Sequence, residues 1–198
     1  MKRLSFILIV SLTSAVFFVL LSCGNLKKQS EQDLIKQTFY DYTAAINNKE
    51  FEKAQEYIYP KYFDYFSKDN NVLAEKQLMS DSLVSFDSDS IQSVSEIYEL
   101  NGIKYTLIKY KQRMKMKLDI NQNEGGASLA VGLLLRKLEN EYGKENVTFN
   151  QDKYIITSVL QNEMYCIYDP AYGDWKLLTK TDNMQLNKLI PSEILNEI

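Results

Sequence analysis

The sequence predicts an α+β domain: N-terminal helices packed on a strongly bent antiparallel sheet, one helix inserted between two hairpins, and a short helical C-terminal tail. Three observations predict it. Apolar residues recur at helical spacing over residues 34–46, the periodicity changes toward two beyond residue 90, and the turn sequences Asn101-Gly102 and "DPAYGD" each separate strand-like runs.

Ser30, three residues before Asp33, suits a helix start. Leu34, Ile35, Thr38, Phe39, Tyr42, Ala45 and Ile46 then form one apolar stripe of about four turns. Asn47-Asn48 breaks this helix. Phe51, Ala54, Gln55 and Ile58 continue on a second, shorter one that ends near Pro60, because proline disfavours helical geometry in the residue before it. The stretch "YIYPKYFDYF" brings six aromatics into ten residues, Tyr57, Tyr59, Tyr62, Phe63, Tyr65 and Phe66. They either fill the core where the helix ends or line a pocket. Residues 71–84 read as helical through Leu73, Leu78, Met79 and Leu83, before a polar "SFDSDS" loop.

Residues 91–100 and 103–119 read as strands joined at Asn101-Gly102, a strong hairpin signal. A second pair, 153–168 and 174–181, is joined through Pro170 and Gly173, so four long strands are expected. Between the pairs, Gly125-Gly126 leads into a helix over residues 127–142, apolar on most sides in its first half. The ending "LNKLIPSEILNEI" suggests two short helical turns divided by Pro191. Up to Leu107 the apolar residues of the second strand are Ile103, Tyr105 and Leu107, and from Ile108 they fall in the opposite register. A β-bulge would do this and bend the sheet, giving a concave side that helices can close into a pocket. Tyr42, Tyr62, Tyr110, Met114 and Met116 are its candidate lining residues.

At the N-terminus, Lys2 and Arg3 precede an uncharged run, Leu4 to Ser22, of a length between that of a signal-peptide core and a membrane span. Register decides between them. Leu20-Leu21-Ser22-Cys23-Gly24 has an apolar residue three before the cysteine, a small one directly before it and a small one after. It resembles the lipobox of bacterial lipoproteins, which implies that residues 1–22 are a signal peptide and that Cys23 is lipidated. Residues 23–30 then form the lipidated cysteine and its tether, and residues 31–198 a single domain. By the same resemblance, Gly24 and the lack of acidic residues at 26–29 imply a cell-envelope protein at the outer membrane, facing the periplasm. With Cys23 acylated, Cys166 has no disulfide partner in the chain and is read as a buried apolar residue in a strand.

The chain has 198 residues; without residues 1–22, its 23 basic residues less Lys2 and Arg3 stand against 26 acidic ones, a net charge of −5. This argues against nucleic acid as the main partner. Histidine is absent, which excludes the usual catalytic triads and histidine-ligated zinc. Asp87 and Asp89 lack the glycine and terminal glutamate of a calcium loop, and no lysine follows Gly125-Gly126 at P-loop spacing. No cofactor or metal is expected.

Lys109, Lys111, Arg113, Lys115 and Lys117 occupy alternate positions, so a regular strand points all five to one face. That face either binds an anion, such as acidic lipid headgroups or a charged glycan, or is a solvated outer surface.

The order helix, helix, aromatic turn, helix, hairpin, helix, hairpin ending in a strand with Trp175 resembles the NTF2-like (SnoaL-like, cystatin-like) cone over residues 31–181. "YIYPKYFDYF", "YGKENVTFN", "GDWKLLTKTDN" and "LIPSEILNEI" resemble lipoproteins of Bacteroidetes-type bacteria. The resemblance implies the fold and the location and leaves the activity open. The lipobox, the absent histidine and the apolar strand face point to a membrane-anchored, non-enzymatic domain that binds a small apolar ligand or an envelope protein partner. The alternative the cone implies is an enzyme of the isomerase, cyclase or hydrolase kind, using a pocket carboxylate and a tyrosine. Glu96, Glu99, Asp119 and Glu163 are the strand-region carboxylates for that role. A third expectation is an envelope scaffold that docks through the basic strand face.

Overall fold

Asn101 and Gly102 both adopt positive φ, 54° and 78°, and Leu100 pairs directly with Ile103. This is the two-residue hairpin geometry that the Asn-Gly sequence encodes. Around it, the computed structural model describes residues 29–80, 83–119, 127–180 and 188–198. Cys23 and the segment before it lie outside the described residues, as do Gly125-Gly126. Residues Gln32–Ile198 make one compact unit.

The chain opens with α1 (Glu31–Asn47), the single-turn α2 (Phe51–Ala54), a 3₁₀ segment (Pro60–Asp64) and α3 (Lys68–Ser80). Pro60 begins that 3₁₀ segment, where its fixed φ and missing N–H cost nothing. The sheet follows as β1 (Val84–Val94), β2 (Tyr98–Leu100) and β3 (Ile103–Lys117). Then come α4 (Ala127–Tyr142), a 3₁₀ turn (Lys144–Asn146), β4 (Val147–Asn150), β5 (Ile155–Tyr168), β6 (Trp175–Thr179) and a short α5 (Ser192–Leu195).

All strand pairs within the six-stranded sheet are antiparallel. β3 and β5 form its centre, with β1 and β2 successively along the free edge of β3, and β4 and β6 along that of β5. The edge of β6 is met in turn by the segment before Pro60. Tyr59 N donates to Leu177 O and Leu177 N to Tyr57 O, a short parallel bridge at Ile58.

The midstrand bulge expected in β3 is absent: its register with β5 runs without a shift from Lys104↔Tyr168 to Lys117↔Ile155. The apolar register changes because the two faces are covered differently along the strand. Even-numbered residues of β3 face the helices throughout. Ile108 packs with Ile35, Phe39, Met164 and Cys166 under α1, and Met114 and Met116 pack with Leu138 and Ile156 under α4. Among the described residues, the odd-numbered face is covered at the hairpin end, where Tyr105, Leu107, Tyr165 and Ile167 meet Tyr59 and the tail residues Ile190 and Ile194. Beyond Leu107 that face carries the lysines. The register shifts lie instead in β1, between Asp87 and Ser90 and between Ile91 and Ser93.

Three further expectations change. "SFDSDS" is part of β1 rather than a loop, because an edge strand tolerates polar residues on its open face. β4 is an additional short edge strand, and the strand expected over 91–100 is divided at residues 95–97 between β1 and β2, so the sheet has six strands rather than four long ones. The helix expected over 71–84 spans 68–80. Of the two C-terminal helical turns, the one after Pro191 is helical, and the one before it lies partly outside the described residues.

Candidate functional site

A cavity of about 200 Å³ lies between α1, α3 and the helix-facing side of the sheet. From α1 it is lined by Phe39, Tyr42 and Ile46, spaced by three and four positions and so on one side of the helix. The sheet contributes Phe86, Tyr110, Gln112 and Met164. Their register makes them neighbours, since Tyr110, Gln112 and Met164 are all even-numbered positions of the β3–β5 ladder. Met79 and Glu75 complete the wall from α3.

Glu75 is the carboxylate of this cavity. Burial raises its pKa above 4.5, opposed by a 2.9 Å hydrogen bond that Oε2 accepts from Gln55 Nε2. Gln55 is 2% exposed, and its other amide atom, Oε1, has no hydrogen-bond partner among the described residues. On the sheet side, Gln112 Oε1 accepts a 3.5 Å hydrogen bond from Asn162 Nδ2. The cavity is therefore apolar with a polar edge, an arrangement that buries a small molecule and orients one end of it.

Of the candidate lining residues, Tyr42 and Tyr110 line this cavity, and the ring of Tyr110 sits 4.9 Å from that of Phe39. Met114 and Met116 lie in the separate apolar cluster beneath α4. Tyr62 stacks on Phe66 at 4.7 Å and its hydroxyl bonds Asn71 at 3.2 Å, which places it in the wall of aromatics before α3.

Sequence reasoning sought a pocket carboxylate on the strands and missed Glu75. The signal was present: Val72, Glu75 and Met79 share one helical face, so Glu75 interrupts an apolar stripe. Among the strand-region carboxylates, Glu163 instead binds Lys180 at 2.7 Å and Lys109 at 3.2 Å on the opposite face of the sheet. The Lys180 hydrogen bond, followed by that of Lys109, outweighs partial burial and holds Glu163 below the usual range.

A second buried polar cluster ties the fold together. Asp169, 6% exposed, accepts from the Tyr59 hydroxyl at 3.0 Å and from Ala171 N at 3.0 Å, and Lys61 Nζ lies 3.3 Å away. Burial would raise the Asp169 pKa, but the backbone N–H, the phenol and the ammonium together hold it below 3.8. Both carboxylate oxygens are engaged. Cys166 is fully buried in the β5 core, where burial pushes its thiol pKa up.

The five basic residues line up on the odd-numbered face of β3. Lys109 and Lys115 pair with Glu163 and Asp87, whereas Lys111, Arg113 and Lys117 are exposed and have no carboxylate partner among the described residues.

No cluster of three or more metal-ligating side chains occurs among the described residues, and no helix there is long and apolar enough to cross a membrane. No protein-family model and no curated protein matches the chain.

Proposed function

We propose that the chain is a lipid-anchored protein of the bacterial cell envelope, acylated at Cys23 and held at the outer membrane on the periplasmic side. Its NTF2-like domain is a non-enzymatic binding module for a small apolar ligand with one polar end. The observation that carries the reading is the cavity of about 200 Å³, walled by Phe39, Ile46, Met79, Phe86 and Met164 and edged by Glu75 and Gln112. An apolar cavity of about 150 Å³ suffices for benzene, so this one takes a single ring or a short acyl chain. An Ile46→Trp substitution fills the space from α1. Retention of a small molecule by the wild-type protein in native mass spectrometry, and its loss in the filled variant, is the expected result. Equal occupancy in both would remove the cavity from the account. Anchoring has its own test: labelled palmitate enters the wild type and not Cys23→Ala.

A second reading is favoured by one observation, the raised pKa of Glu75 in the cavity that also holds Tyr42 and Tyr110. A partly desolvated carboxylate beside phenols suits proton transfer at a bound ligand, in an enzyme of the isomerase, cyclase or hydrolase kind. Conversion of a retained ligand by the wild type, lost in Glu75→Gln while binding persists, would select this reading over the binding module.

A further inference from the structure

The row Lys109, Lys111, Arg113, Lys115 and Lys117 runs along one face of β3 with a cation at every second residue, about 6.6 Å apart and about 26 Å from end to end. At physiological salt, charges about 8 Å apart still interact appreciably, so a row of this kind is unfavourable for a merely solvated face. Two carboxylates offset part of it: Asp87 binds Lys115 at 2.7 Å, and Glu163 binds Lys109 at 3.2 Å and Lys180 at 2.7 Å. Three cations, Lys111, Arg113 and Lys117, are left with no carboxylate partner among the described residues.

The surface around the row is concave at one end. A trough of about 1290 Å³ takes in Lys109, Lys111 and Lys180 with Gln92 and Gln161, and Glu163 and Glu141 are its acidic members. The strands on either side supply neutral hydrogen-bonding groups. Ser93, Ser90 and Ser85 stand opposite Lys109, Lys111 and Lys115 on β1, and Gln161 and Thr157 stand opposite Lys111 and Lys115 on β5.

We propose that this face binds a linear anionic glycan, a polysaccharide bearing carboxylate or phosphate groups at intervals, laid along β3 with one end in the trough. The recurring cations take the anionic groups, and the flanking hydroxyls and amides take the sugar hydroxyls. The chemistry separates this from other polyanions. Single-stranded nucleic acid is held by stacking aromatics, and the two aromatic residues that line the trough offer no free ring face: Tyr165 is 3% exposed beneath Lys180, and the ring of Tyr110 packs 4.9 Å from that of Phe39 on the helix side of the sheet. A bilayer surface is flat and does not follow a trough. The trough shares Tyr110 and Thr179 with the cavity behind the sheet, but none of the basic row lines that cavity.

The test is calorimetric titration of the full-length chain in uncharged detergent micelles with oligogalacturonates of increasing length. Saturable binding is expected, tightening with length and weakening with salt. Lys111→Glu combined with Arg113→Glu is expected to weaken it by about tenfold or more, because like charges then face the ligand. Lys111→Arg with Arg113→Lys should bind as the wild type does. Urea midpoints close to wild type show that the variants are folded. Equal binding of uncharged dextran, unchanged affinity in the charge-reversed variant, or no saturable binding would overturn the proposal. So would binding to phosphatidylglycerol vesicles or single-stranded DNA by a chain that ignores oligogalacturonate.

Discussion

Gln55 Nε2 donates to Glu75 Oε2 at 2.9 Å, joining a fully packed residue just after α2 to the carboxylate that lines the α1–α3 cavity. The bond fixes the carboxylate at the cavity edge, and because Gln55 is neutral it leaves that charge without a counterion from this partner. Burial therefore prevails and the pKa is raised.

The stability consequence has a definite sign. A carboxyl whose folded pKa lies above its unfolded value of 4.5 contributes stability that is complete below that value and is lost as pH rises through the folded pKa. Glu75→Gln retains an acceptor for Gln55 and removes the charge. The variant should match or exceed the wild-type Tm at pH 7, and its advantage should vanish as the pH is lowered below 4.5. Thermal melts across this range read the effect.

Tyr59→Phe removes the hydroxyl that reaches Asp169 across the fold. A hydrogen bond to a buried, charged acceptor contributes about 2 kcal/mol. Urea unfolding should show a loss of that size. Asp169→Ala should lose more, since it also strips the partners of Lys61 and of the Ala171 N–H. The Asp169 pKa is depressed, so its contribution is present above pH 3.8 and is lost as pH falls through the folded value.

Lys111 and Arg113 should tolerate alanine. Both are exposed and neither has an ion-pair partner among the described residues, so urea unfolding should place each variant within about 0.5 kcal/mol of wild type. A larger loss in either would show that the basic row serves stability.

The Cys166 thiol, fully buried and with its pKa raised by burial, should resist a disulfide reagent such as DTNB in the native protein. In denaturant it should react within the mixing time. Rapid reaction of the native protein would mean that the β5 core opens readily.

Much of the fold was legible where local chemistry decides the structure. Asn101-Gly102 specified its hairpin by backbone conformation alone, and the α4 sequence reads as a helix from its periodicity and ends at Gly143, which adopts positive φ. The mistakes came where a distant segment decides. The apolar register of β3 changes at Ile108 because Ile190 and Ile194, more than 80 positions later, cover one face at one end of the sheet. Such a cover leaves no trace within the strand itself. β1 was obscured by its serines and aspartates, which an edge position permits, and β4 by a length of four residues. Tyr42 and Tyr110 were readable as lining residues from their faces. Glu75 was readable only as a charge out of place on α3, and Met114 and Met116 share the face of Tyr110 but lie under a different helix.

The methionine methyl resonances test the binding account most directly, because the methionines divide by position: Met79 and Met164 line the cavity, and Met114 and Met116 pack beneath α4. Titration with p-cresol, a ring with one hydroxyl, should shift the Met79 and Met164 signals saturably and leave those of Met114 and Met116 in place. Ile46→Trp should abolish the shifts. Shifts spread evenly over all four, or no saturable shift at Met79 and Met164, would contradict the assignment of this cavity as a ligand site.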